Sequence, residues 1–206
     1  MSADVTRDFA FGLPKAELHL HLEGTLEPDL KLALARKNGV DIGQSTVEEV
    51  QATYQFNDLT SFLAVYYPAM DVLQDEDDFH DLAAAYFERA RANGVVRAEC
   101  FFDPQAHTSR GIAIETVIRG YHRAVVEARE AGLSADLILC FLRDMSAQSA
   151  LETLQAALPY KDMFIGVGLD SDERDNPPTK FAEVFALARE AGLHVTMHCD
   201  IDQVGS

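Results

Sequence analysis

The chain has 206 residues, 48% hydrophobic and 25% charged, a globular balance that excludes disordered, collagen-like and low-complexity classes. Against 34 acidic residues stand 17 basic ones, and the net charge of −17 sets the surface against phosphate backbones and anionic lipid, leaving a small neutral or cationic ligand as the expected partner. The three cysteines (Cys100, Cys140, Cys199) are odd in number and far apart, and neither an apolar leader nor a run of ~18 apolar residues is present, so a reducing cytoplasm is the expected compartment and no membrane span is expected.

In chain order, AELHLHL (16–22) reads as a short buried strand. Helical periodicity follows over roughly 27–38, 58–70 and 76–92, the last opening on the acidic run Asp75 to Asp78 and stopping at Asn93-Gly94. GVVRAECFF (94–102) is the second strand, 112–131 a helix ending at Gly132, and SADLILCFL (134–142) the third strand. Helix 147–158, strand MFIGVGL (163–169), helix 179–191 and strand LHVTMH (193–198) complete the pattern. A weak repeat supports it: Ala-Arg-Ala-Asn-Gly at 90–94 and Ala-Arg-Glu-Ala-Gly at both 128–132 and 188–192 each close a helix and launch a strand.

Strands apolar on both faces, alternating with helices, imply a parallel sheet covered by helices. Because no GxGxxG or GxxxxGK[ST] follows any strand, a (β/α)8 TIM-type barrel is favoured over a doubly wound sheet. About 250 residues suit a full barrel and five strands are visible, so residues 1–206 are read as the N-terminal part of a single barrel domain, supplying its first five βα units. The segment 27–92 is expected to form a helical cap over the barrel mouth.

His19 and His21 alternate with Leu18, Leu20 and Leu22, so both imidazoles project from one face of the first strand. His198 closes the fifth strand and is followed by Asp200 and Asp202. At the C-terminal rim of a parallel barrel the three histidines make a three-ligand zinc site with a coordination position left for water, and either aspartate could carry a proton. Taken alone, HxH also describes two satisfied polar residues on a strand, and the aspartate pair a solvated loop. His80 and His122 read as helix-surface residues, His194 begins a strand at the opposite end, and His107 follows Asp103-Pro104 on the rim side.

LPKAELHLHLEGTLEP (13–28) resembles the opening of the adenosine/adenine deaminase family of the metal-dependent amidohydrolases, as do FNDLTSFLAVYY (56–67), RAECFFDPQAHTSRGI (97–112) and GVGLDSDE (166–173). The resemblance implies one zinc ion per full-length subunit and hydrolytic loss of the C6 amino group of a purine. It also implies further ligands on strands beyond those visible, and a substrate contact at Gly168. Glu23 in HLEG, where nucleoside enzymes carry HLDG, together with the segment around Asp103, looks like the adenine branch and implies a shortened ribose pocket. At the fifth strand the family's HAGE is replaced by His198-Cys199-Asp200-Ile201, which moves the proton-transfer role to Asp202 or Asp200.

The expected function is therefore zinc-dependent conversion of adenine to hypoxanthine and ammonia, with adenosine or an N6-substituted adenine as alternative substrates. A ring-opening or ester-cleaving amidohydrolase and a non-catalytic purine-binding relative are the competing readings. Homo-oligomerisation is left open. Base editing on nucleic acid is set aside, because the HxE…PCxxC arrangement is missing and the chain is acidic.

Overall fold

A computed structural model describes residues 3–199, with side chains from residue 6 onward. Helix α1 (Ala3–Gly12) precedes β1 (Lys15–His21), and a 3-10 turn at Leu22–Thr25 leads into α2 (Pro28–Asn38), α3 (Val47–Ala52), α4 (Leu59–Ala69) and α5 (Glu76–Ala92). Then come β2 (Val95–Phe102), α6 (Pro104–Thr108), α7 (Ile114–Glu130), β3 (Ser134–Leu142), α8 (Ala147–Ala157), β4 (Gly166–Asp170), α9 (Ala182–Glu190) and β5 (His194–Val195). The strands form one parallel sheet in the order β1-β2-β3-β4-β5, each hydrogen-bonded to its sequence neighbour.

This is a partial (β/α)8 barrel wall. In a flat sheet the first and fifth strands would lie roughly 19 Å apart at ordinary strand spacing. Here His19, on β1, and His198, just past β5, place their Nε2 atoms 2.8 Å from one another. The sheet is therefore curled as a barrel wall is curled, with its rim residues turned inward.

The main core lies between the sheet and its helices, with Leu22, Phe79, Leu82, Phe102, Tyr121, Leu139, Phe141 and Phe181 all buried. Local chemistry explains the helix starts: Thr46, Asp58 and Asp75 each accept from the backbone N–H three residues on in a reciprocal capping box at α3, α4 and α5. Helices α5 and α7 pack closely because Gly120 has no side chain, since a Cβ there would lie 2.5 Å from the Glu76 carbonyl oxygen.

The expected cap is thereby divided. Helix α5 belongs to the outer helical layer beside α7 and β2, while α4 overlies the rim. Three further differences have local causes. Met163 and Phe164 read as strand because they are apolar, but Leu158–Met163 is a 3-10 turn opened by Pro159 and β4 begins only at Gly166. Strand β5 is regular for two residues only, yet Thr196 N donates to Val167 O and His198 N to Leu169 O, so the chain still runs beside β4 up to His198. Helices α1, α3 and α6 were not expected, being short or terminal. Among the described residues no helix is long and apolar enough to cross a membrane.

Candidate metal centre

Strand periodicity carries His19 and His21 to one side of β1, and the parallel register sets His21 beside Phe101 of β2. The Phe101 ring is a platform for both imidazoles, with centroids 4.4 Å from His19 and 5.1 Å from His21. His198 closes the arrangement, its Nε2 lying 2.8 Å from Nε2 of His19 and 3.0 Å from Nε2 of His21. Gly168 sits behind this platform: a Cβ there would come 2.6 Å from Cys140 Sγ and 3.2 Å from the Phe101 ring. It gives room to the support of the histidines and is not part of the cavity wall.

Buried carboxylates stand on the far side of His21. Its Nδ1 is 3.3 Å from Asp170 Oδ2 and 3.8 Å from Asp103 Oδ1, from the ends of β4 and β2. Burial presses the His21 imidazole towards its neutral form, but hydrogen bonding and attraction to the two aspartates outweigh it and raise its pKa to about 10. Asp103 moves upward to about 7, through burial and then through the charge of Asp170, with His21 opposing. Burial followed by the neighbouring imidazoles lowers His198 to about 4, and His19 moves down for the same reasons. At neutral pH the His198 ring is therefore uncharged.

The donor set suits a divalent cation. The Nε2 atoms of His19 and His21 lie 2.8 and 3.0 Å from that of His198, close enough for one cation to draw on all three. Among the described residues Asp103 Oδ1 and Asp170 Oδ1 are buried without a hydrogen-bond partner, although His21 Nδ1 stands 3.8 Å from the first. His19, His21 and His198 would hold the ion, with Asp170 and Asp103 orienting His21 through its other nitrogen.

Above the histidines lies a cavity of about 370 Å³. Helix α4 gives its apolar wall through Leu59, Phe62, Leu63, Tyr66 and Tyr67, and Asp103, Asp170 and Ser171 give its polar side. Burial, then the nearby carboxylates, holds both tyrosine phenols well above their ordinary range, so they stay protonated and able to donate.

Glu23 does not line this cavity. It is buried in the 3-10 turn after β1, where its Oε1 accepts from Asp103 N at 3.1 Å, His107 Nε2 at 3.1 Å and Tyr121 OH at 3.0 Å. It thus anchors the loop after β2; among the described residues its other oxygen, Oε2, is buried without a partner, and Glu23 lines an adjoining cavity of about 250 Å³. His107 is buried, with Arg110 donating to its Nδ1. His80 lies on the helix surface between Asp81 and Glu127. Asp200 and Asp202 lie outside the described residues.

Asp170, Ser171 and the α4 aromatics escaped the sequence reading. A carboxylate at the C-terminal end of a strand, the rule that singled out His198, would have found Asp170. The i, i+4 spacing of Phe62 and Tyr66 marks a helix face without saying what it covers.

Fold and rim together define the class: a parallel βα-barrel protein whose strand ends carry a convergent set of histidines and carboxylates, residues of metal-ligating type. The adenosine deaminase family model matches residues 14–200, and the chain belongs to that family. An adenine deaminase of Geotalea uraniireducens is 56% identical over 187 residues, which are 90% of this chain and 53% of that protein. Among solved structures, an adenine deaminase from Arthrobacter aurescens superposes with a TM-score of 0.90 at 50% identity, covering 92% of this chain and 58% of that one. A Burkholderia ambifaria amidohydrolase with bound zinc gives 0.81 at 30% identity, covering 97% and 55%. The chain thus spans little more than half the length of these relatives.

Proposed function

We propose that this chain forms the first part of a zinc-dependent aminopurine deaminase that converts adenine to hypoxanthine and ammonia. The observation that carries the reading is the convergence of three imidazole Nε2 atoms at the base of a cavity walled by α4 aromatics and edged by buried carboxylates. The relatives named adenine deaminase support adenine as the substrate. When bound, a zinc ion supplies Lewis acidity and a water acidified to near neutral pH.

The chain's own residues would do the rest. Phe62, Tyr66 and Tyr67 pack the planar base and exclude bulk water, and the protonated phenols offer donors to it. Asp170 and Asp103 hold His21 in a fixed ring orientation. Glu23 fixes Asp103 through its backbone N–H, and Gly168 leaves space for the Phe101 platform, so both reach the substrate indirectly in this reading. Asp202, or Asp200, is the proposed proton carrier to the ring nitrogen and leaving amine.

Deamination of adenosine is the second reading, favoured by one feature. The adjoining cavity shares Gly24, Thr25, Phe62 and Tyr66 with the first and is lined in addition by Glu23 and Glu27, polar groups that a ribose could meet. Metal analysis of the purified protein, joined to ammonia release from adenine and from adenosine, tests both. About one zinc per chain with higher kcat/KM on adenine is expected; preference for the nucleoside would select the second reading, and failure to bind metal would overturn both.

A further inference from the structure

His198 is the ligand position least secured by regular structure. β1 carries His19 and His21 within its span, but β5 ends at Val195, three residues before His198. Two hydrogen bonds hold the His198 main chain: its N–H donates to Leu169 O at 2.9 Å, and its carbonyl accepts from Arg143 Nη1 at 3.0 Å.

Arg143 is an unusual residue for that task. It is fully buried just beyond β3, and its counter-charge, Glu173, is 1% exposed with Oε1 at 3.3 Å from Nη1. Its Nε donates to Asn176 O at 2.9 Å, its own N–H to Asp170 O at 3.0 Å, and Lys180 Nζ donates to its carbonyl at 2.9 Å. One residue therefore ties the end of β3 to the end of β4, to the loop 173–176 and to the backbone of His198. Among the described residues Nη2 has no partner, so not all donors of this buried guanidinium are satisfied there. Removing the guanidinium would take the counter-charge from beside the buried Glu173 and a donor from the Asn176 and His198 carbonyls, and only a planar fork can serve several fixed acceptors at once.

We infer that Arg143 is a positioning residue of the metal centre, setting the place of the His198 imidazole through the His198 carbonyl. The inference rests on the metal reading above, and its test separates the two. Zinc affinity of the purified protein is measured by competition with a chromophoric chelator, for Arg143→Gln alone and in His198→Ala and His19→Ala backgrounds, with circular dichroism melts alongside. Arg143→Gln is expected to weaken zinc binding by roughly 10-fold or more in the otherwise unaltered chain, as loss of an outer support does. The same substitution should retain that effect when His19 is alanine and lose it, to within about 2-fold, when His198 is alanine, because coupling appears only between groups that act together.

Equal effects in both backgrounds, or a folded Arg143→Gln protein with unchanged zinc affinity, would overturn the inference while leaving the histidine site standing. Unchanged affinity in His19→Ala and His198→Ala themselves would remove the metal reading and this inference with it. If Arg143→Gln does not fold, Arg143→Lys, which keeps the charge opposite Glu173 without the fork, enters the same cycle with the same expected pattern.

Discussion

Two buried carboxylate clusters in this molecule are satisfied in opposite ways. At the start of α5, Asp78 is fully buried and both its oxygens are occupied: Oδ1 accepts from Lys37 Nζ at 2.7 Å, and Oδ2 from Asn38 Nδ2, Gln74 N and Asp75 N at 2.7, 2.8 and 3.1 Å. At the rim, Asp103 and Asp170 are as deeply buried, yet each keeps one oxygen without a partner, facing a histidine cluster with lone pairs of its own to satisfy. Burying a polar group without a partner is costly, so a fold retains it where something else completes it. The first cluster closes on itself and holds a helix to its neighbours; the second leaves acceptors open beside the histidines.

The comparison is broken most decisively at the histidines. His19→Ala or His21→Ala should weaken zinc binding by ~10²-fold or more, read by chelator competition. A variant with unchanged zinc affinity would show that the rim cluster is closed as well.

Asp78→Ala is the reciprocal experiment. It strands four donors around a buried site and should cost roughly 2–3 kcal/mol of stability in a denaturant titration, with zinc affinity unchanged. Asp170→Asn should weaken zinc binding by roughly 10- to 100-fold in chelator competition, because Asp170 Oδ2, 3.3 Å from His21 Nδ1, orients that ring.

The smallest effect concerns the rim of the closed cluster. Asp75 caps α5, and although its slight burial acts the other way, bonds from Lys37 and the Asp78 N–H hold its carboxyl below the ordinary 3.8. A depressed folded value means stabilisation that is present above the unfolded pKa and is lost as pH falls through the folded one. Asp75→Ala should therefore cost about 1 kcal/mol at neutral pH, and the gap between variant and parent should shrink below about pH 4 in thermal melts.

What could be read from the chain alone depended on nearest neighbours. The HxH pair needs only the two-residue period of a strand to place both rings together, and the βα alternation needs only the helix stops at Gly94, Gly132 and Gly192, each of which takes a left-handed φ. The capping boxes at Asp58 and Asp75 are likewise decided within three residues. Such features are set by backbone sterics and local hydrogen bonds, which neighbouring residues determine whatever the rest of the fold does.

The pairings that give the rim its chemistry were decided by the tertiary structure. Asp103 in Asp-Pro reads as a turn signal and Glu23 as a residue beside a pocket, until curling of the sheet carries Asp103 to His21 and Glu23 beneath the β2 loop. Arg143 meets the His198 carbonyl 55 residues away, and Asp170 meets His21 from a strand three places along the sheet. Each of these contacts needs strands of different register to end at one height on one curved wall. That follows from the packing of side chains between sheet and helices over the whole domain, and no local pattern of residues encodes it.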